Sequence, residues 1–107
     1  MTANNKKESF GELINGEVPV LVDFTATWCG PCRMMKPVLD ELHQRKGNKL
    51  RIIKIDIDQS PAAAHAFQVQ SVPTLLLFQK GKQLWRQSGV IQAASLERII
   101  DQHITSN

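Results

Sequence analysis

The chain has 107 residues, of which 42% are hydrophobic and 21% charged, and its formal net charge is +3. This is the length of one domain and an ordinary globular composition, able to build a core without metals or a disulfide framework. The thirteen Lys and Arg residues are scattered rather than striped among aromatics, and no apolar run nears the ~20 residues of a membrane span, so neither nucleic-acid nor membrane binding is expected.

Residues 1–8 are polar and are expected to be loose, leaving 9–107 as the domain. The opening stretch lacks the apolar core of a signal peptide, so a soluble cytoplasmic protein is expected. Ser9 and Glu12 form a capping-box signature ahead of Phe10, Leu13 and Ile14, which predicts a short helix over 10–15. Gly16 to Pro19 breaks it. Val20-Leu21-Val22-Asp23-Phe24 then reads as a buried strand, apolar on both faces except for one acid. After the cysteines, Met34, Met35, Val38, Leu39 and Leu42 recur at helical spacing and are read as core. Pro37 sits inside that helix and should kink it, and Gly47 ends it. Ile52, Ile53, Ile55 and Ile57 mark a second strand, giving a parallel strand–helix–strand unit. Ser60-Pro61 reads as an N-cap with proline at the first helical position, opening a helix that ends near Phe67. Residues 74–79 and 82–87 form an antiparallel hairpin across Lys80-Gly81. Leu96, Ile99, Ile100 and Ile104 place a last amphipathic helix after Gly89. The pattern is a mixed sheet with helices on its faces.

The chemistry of the chain concentrates at Cys29-Gly30-Pro31-Cys32, which holds its only two cysteines. Two thiols this close can form a disulfide and pass it to another molecule. A structural bridge here would close a minimal loop and add little stability. The motif leaves the carboxyl end of a central strand and enters a helix, the edge at which sites gather in open α/β sheets. Unpaired N–H groups and the helix dipole there favour a Cys29 thiolate. Gly30 permits close backbone approach, and Pro31 suits the first helical turn. Cys32, one turn further in, should be the less exposed thiol. Cys29 is therefore expected to attack a target disulfide and Cys32 to resolve the mixed disulfide. Zinc would need four ligands, and His43, His65 and His103 fall on three different predicted helices. A c-type haem would need His at position 33, which is Arg. No metal ligand is assigned.

Trp28-Cys29-Gly30-Pro31-Cys32, the upstream Val22-Asp23-Phe24 and the downstream Val72-Pro73-Thr74 together resemble the thioredoxin family. The resemblance runs from about Ser9 to the C-terminus and includes Pro37, Lys54, the Lys80-Gly81 turn and Gly89. It implies the thioredoxin fold, α/β with a central mixed sheet flanked by helices on both faces. It also implies a monomeric protein-disulfide reductase whose partners are disulfide-containing client proteins and a thioredoxin reductase. The nicotinamide or ferredoxin chemistry belongs to that reductase. On that resemblance this chain is expected to bind no cofactor and to carry only the redox-active disulfide Cys29–Cys32.

By the same resemblance, Asp23 is the buried carboxylate that assists proton transfer at Cys32. An acid inside an apolar strand has its pKa raised by desolvation, the direction a base near neutral pH needs. Lys54 matches the position whose ammonium lies near that carboxylate; read alone, it is a solvent-facing strand lysine. General statistics would make Val72–Pro73 trans. The resemblance implies cis, with the edge of Val72 beside the cysteines and open to an extended substrate segment. Trp28, Gly30, Val72, Gly89 and Val90 would form an apolar docking surface, although Trp28 also fits simple core packing.

Two departures stand out. Many members carry Trp where this chain has Thr25, which predicts looser packing beneath the motif. The short polar N-terminus also predicts an abbreviated or missing first edge strand. The competing readings are an oxidant or isomerase of the same fold, or a binding subunit with incidental cysteines. Gly30-Pro31 between the cysteines favours a reductant over the first, and the intact Asp23, Pro73 and CGPC argue against the second.

Overall fold

The computed structural model describes residues 9–104. Its elements run in the order α1 (Phe10–Ile14), β1 (Val20–Thr25), α2 (Gly30–Lys46), β2 (Arg51–Asp56), α3 (Pro61–Ala66), β3 (Thr74–Gln79), β4 (Lys82–Ser88) and α4 (Ala93–His103). Strands β1 and β3, whose residues are apolar on both faces, lie inside a four-stranded sheet of order β2-β1-β3-β4. β1 pairs with β2 in parallel and with β3 antiparallel, and β3 pairs with β4 antiparallel. The crossover from β1 to β2 runs through α2.

Successive strand residues point to opposite faces, so each central strand feeds two cores. On one face Leu21, Leu75 and Leu77 pack with Met35, Leu39 and Leu42 of α2 and with Leu96 and Ile100 of α4. On the other, Val20, Val22, Phe24, Leu76 and Phe78 meet Phe10 and Ile14 of α1 and Ala63 and Phe67 near α3. Phe67 stands edge-on to Phe10 and Phe78, with ring centroids 5.2 and 5.3 Å away, a favoured aromatic geometry. Ion pairs Arg45–Glu97 and Lys46–Asp101 link α2 to α4 along the outside. Exposed pairs of this kind contribute at most about 1 kcal/mol each, so the apolar layers hold the helices down.

Most expectations hold within a residue or two. The Ser9–Glu12 capping box forms in full, Pro37 lies inside α2, and Gly47 is its C-cap. One reading needs correction and two need refining. Met34 is 60% exposed while Met35 is fully buried. The buried stripe of α2 runs Cys32, Met35, Val38, Leu39, Leu42, and Met34 lies about 100° off Met35. Ser60 occupies the N-cap of α3 but its side chain caps nothing, its backbone being at φ −131°, ψ 62°. The hairpin's second strand continues to Ser88. Residues 1–8, on which the expected loose segment falls and which bear on the first edge strand, lie outside the described residues.

The β3–β4 turn is also a tertiary contact. Lys80 and Gly81 have φ of 54° and 80°, the backbone a two-residue hairpin of this twist requires. Their N–H groups donate to the carbonyls of Gly16 and Ile14, both at 2.9 Å, so the turn seats on the end of α1. A Cβ at Gly81 would collide with Asn15 Oδ1, whereas one at Gly11 would meet nothing. Gly81→Ala should therefore lower stability by about 1–2 kcal/mol, and Gly11→Ala should raise it by a few tenths to ~1 kcal/mol. Urea unfolding checks both: the midpoints should move in opposite directions with an unchanged slope.

Candidate active site

The site is built where β1 ends. Phe24 and Thr25 pair with Ile55 and Asp56, and the chain then turns through Ala26–Thr27–Trp28 into α2. The Cys29 N–H donates to the Ala26 carbonyl at 3.2 Å, and the Arg33 guanidinium reaches back to the Thr27 carbonyl at 2.9 Å. Both bonds fix the entry to the helix. Cys29 is the N-cap of α2, in extended conformation, and Gly30 and Pro31 open the first turn. The Cys32 N–H donates to Cys29 Sγ at 3.1 Å. A sulfur thus takes the place usually held by a capping oxygen. In the thiolate form the same bond becomes charge-assisted and gains the helix dipole.

Cys29 and Cys32 are joined by a disulfide with their Cα atoms 5.3 Å apart. The expected difference in exposure is absent: the two residues are 5% and 6% exposed. What distinguishes them is environment. Cys29 Sγ lies 3.6 Å from the Val72 carbonyl oxygen, a contact its thiol could donate across once reduced. Cys32 instead lines a cleft of about 500 Å³ together with Thr25, Arg33, Lys36 and Lys54. Thr25 thus borders open space beside the motif. Ala26 and both cysteines form a small apolar cluster capped by Ile57 and Val72.

Asp23 is 1% exposed and shares the face of Leu21, which α2 covers. Its Oδ1 is buried without a hydrogen-bond partner among the described residues. Burial raises its pKa from the usual 3.8 to about 6, against the opposing pull of the Lys54 charge. Lys54 stands opposite Asp23 in the parallel register, remains exposed, and its charge opposes the rise of the Asp23 pKa.

Of the residues named for docking, Trp28 and Gly30 adjoin Cys29 in sequence and Val72 meets its Sγ through the carbonyl. Trp28 is 65% exposed, which sets aside core packing, and its Nε1 donates to Asp58 Oδ2 at 2.8 Å. Asp58 is itself set by an Asx turn in which Asp56 accepts from the Asp58 and Gln59 N–H groups. The Val72–Pro73 peptide is cis. Gly89, at φ 97°, donates its N–H to the Pro73 carbonyl at 2.9 Å, and Val90 beside it is 36% exposed. Gly30 has open space where a Cβ would stand, so it leaves the surface clear rather than relieving an internal clash. Asp58, Ile57 and a set of hydroxyls near Val72 carry no sequence signature that would have found them. Among the described residues no three His, Cys, Asp or Glu side chains converge as a metal site, and no helix is long and apolar enough to cross a membrane.

Comparison with known proteins agrees with this geometry. The family model named Thioredoxin matches residues 1–102. A thioredoxin-like protein of Synechocystis is 45% identical over 97 residues, covering 90% of this chain and 92% of that protein. A bifunctional thioredoxin reductase/thioredoxin of Mycobacterium leprae is 46% identical over 89 residues, which are 83% of this chain and 19% of that longer protein. Among solved structures, a thioredoxin from Halobacterium salinarum superposes with a TM-score of 0.81 at 34% identity, covering 91% of this chain and 84% of that one. With a dithiol pair at the head of α2 and this sheet order behind it, the chain belongs to the thioredoxin family and is a thiol–disulfide oxidoreductase of the protein-disulfide reductase type.

Proposed function

We propose that Cys29 is the nucleophile and Cys32 the resolving thiol of a two-step exchange. The observation that carries this order is the N-cap bond from the Cys32 N–H to Cys29 Sγ, which favours negative charge on Cys29 rather than Cys32. The Cys29 thiolate attacks one sulfur of a client disulfide, that S–S bond breaks, and the client's other sulfur leaves as a thiolate. Cys32 then gives its proton to the Asp23 carboxylate and attacks Cys29 Sγ. The second client sulfur is expelled, and the Cys29–Cys32 disulfide takes up the oxidation the client has lost. Lys54 moderates the pKa of Asp23, and Gly30 and Pro31 shape the turn that presents Cys29.

The docking surface in this reading is Trp28, Gly30, Val72, Pro73, Gly89 and Val90. A client strand adds to the edge at Val72 while Trp28 covers its side. Two electrons from a thioredoxin reductase restore the dithiol. The Mycobacterium leprae relative, whose name joins reductase and thioredoxin, supports that pairing. The protein works as a cytoplasmic monomer, with no cofactor of its own beyond the disulfide.

Two measurements test these roles. Catalysis of insulin reduction by dithiothreitol should vanish in Cys29→Ser, and normal turnover in that variant would remove Cys29 as nucleophile. The second concerns Asp23. Its folded pKa of about 6 exceeds its unfolded value, so the folded state holds the extra proton between about pH 4 and pH 6. Stability is therefore lost as pH rises through that window, and the cost of the buried charge is complete above it. Asp23→Asn should be more stable than the parent at pH 8 by roughly 2–3 kcal/mol. In denaturant titrations that gap should close towards pH 4, and a gap independent of pH would contradict a buried, ionising Asp23.

A further inference from the structure

The segment between α3 and β3 carries Val72, and β4 holds it at both ends. At its start, the Arg86 guanidinium donates to the carbonyls of Phe67 and Gln68 at 2.6 and 2.7 Å, closing over the end of α3. At its far end three hydroxyls meet. Ser88 stands opposite Thr74 in the antiparallel register. Its Oγ lies 2.8 Å from Thr74 Oγ1 and 3.3 Å from Ser71 Oγ. Thr74 Oγ1, buried at 1% exposure, donates to the Ser71 carbonyl at 2.7 Å. A hydroxyl can donate once and accept twice, so Thr74 can give its proton to Ser71 and accept from Ser88.

We propose that Ser88 is a positioning residue: its hydroxyl, between those of Thr74 and Ser71, fixes the Val72 edge opposite Cys29 for an extended, disulfide-bearing peptide segment. The inference rests on the reading of Val72 as the docking edge. Ser71 and Thr74 flank Val72 and Pro73, so one bonded hydroxyl group on β4 restrains both sides of the edge. The neighbouring Gly89 N–H fixes only the Pro73 carbonyl. A peptide that adds to a backbone edge gains from finding it already ordered, because it need not order the edge on binding. A small reagent that reacts at Cys29 without docking has no such dependence. Loss of the Ser88 hydroxyl should therefore appear in peptide affinity and leave thiol reactivity alone.

Thr and Val differ at this position by a hydroxyl against a methyl, and both suit a strand. The probe is a synthetic extended peptide disulfide, with a second version N-methylated at the amides flanking its cysteine. Ser88→Val should raise KM for the plain peptide by about three- to tenfold over Ser88→Thr. The value of kcat, the melting temperature and the rate of Cys29 alkylation by iodoacetamide should stay level between them. Ser88→Thr should keep the parent KM, and Ser88→Ala should behave as Ser88→Val. Equal KM values for the Thr and Val variants would overturn the proposal, as would a KM rise matched by losses in alkylation rate and melting temperature. The N-methylated peptide separates the two ideas: if the parent protein reduces both peptides with one KM, docking along Val72 fails. If the parent distinguishes them while the Thr and Val variants agree, only the role of Ser88 fails.

Discussion

A single bond, from the Cys32 N–H to Cys29 Sγ at 3.1 Å, ties the chemistry of this protein to its fold. It exists because β1 ends where α2 begins, with Cys29 at the helix N-cap. The first N–H groups of any helix need acceptors, and this chain supplies a sulfur for one of them. Negative charge on Cys29, the proposed nucleophile, is thus favoured by a requirement of helix formation itself. Everything that sets the angle of α2 against β1 bears on that bond, including Arg33 on the Thr27 carbonyl and the Met35, Leu39 and Leu42 stripe beneath.

The same junction carries a cost. Asp23 is held in the face that α2 covers, with a carboxylate oxygen lacking a partner among the described residues and a pKa pushed up to about 6. Burial dominates and the Lys54 charge only moderates it. A stable structural acid would have been given hydrogen-bond donors. The proposed role of Asp23, a base holding and releasing a proton near neutrality, is better served without them. The cleft shared by Lys54 and Cys32 opens this side to solvent, whereas Cys29 Sγ faces the Val72 carbonyl. The two cysteines are about equally buried, at 5% and 6% exposure, and the proposed division of their roles rests on their surroundings.

What could be read from the residues follows how local each signal is. Hydrophobic period and turn chemistry located the helices and strands of the described residues, most of them to within a residue or two, because burial on one stripe or both faces leaves a repeating mark. Met34 failed by the same rule: apolar content placed it in the core, while its angle on α2 turns it outward. Ser60 does sit at the N-cap before Pro61, but its φ and ψ leave its side chain without a capping bond, which residue type alone does not reveal. The cis Val72–Pro73 bond came only from family resemblance, since general statistics favour trans. The bonds from Trp28 to Asp58 and from Ser88 to Ser71 and Thr74 join side chains 14 to 30 positions apart, with no periodic signature. These contacts border the proposed docking face, so the reactive pair was legible where its surroundings were not.

The order of attack is the central claim, and trapping tests it most directly. In a Cys32→Ser variant, resolution is blocked and a mixed disulfide with a client peptide should accumulate. Peptide mapping by mass spectrometry should find the client sulfur bonded to Cys29. In the reciprocal Cys29→Ser variant no such adduct should build up at a comparable rate. Equal trapping through Cys32 would mean that the N-cap bond does not select the nucleophile, and would contradict the assignment of Cys29 to the first attack.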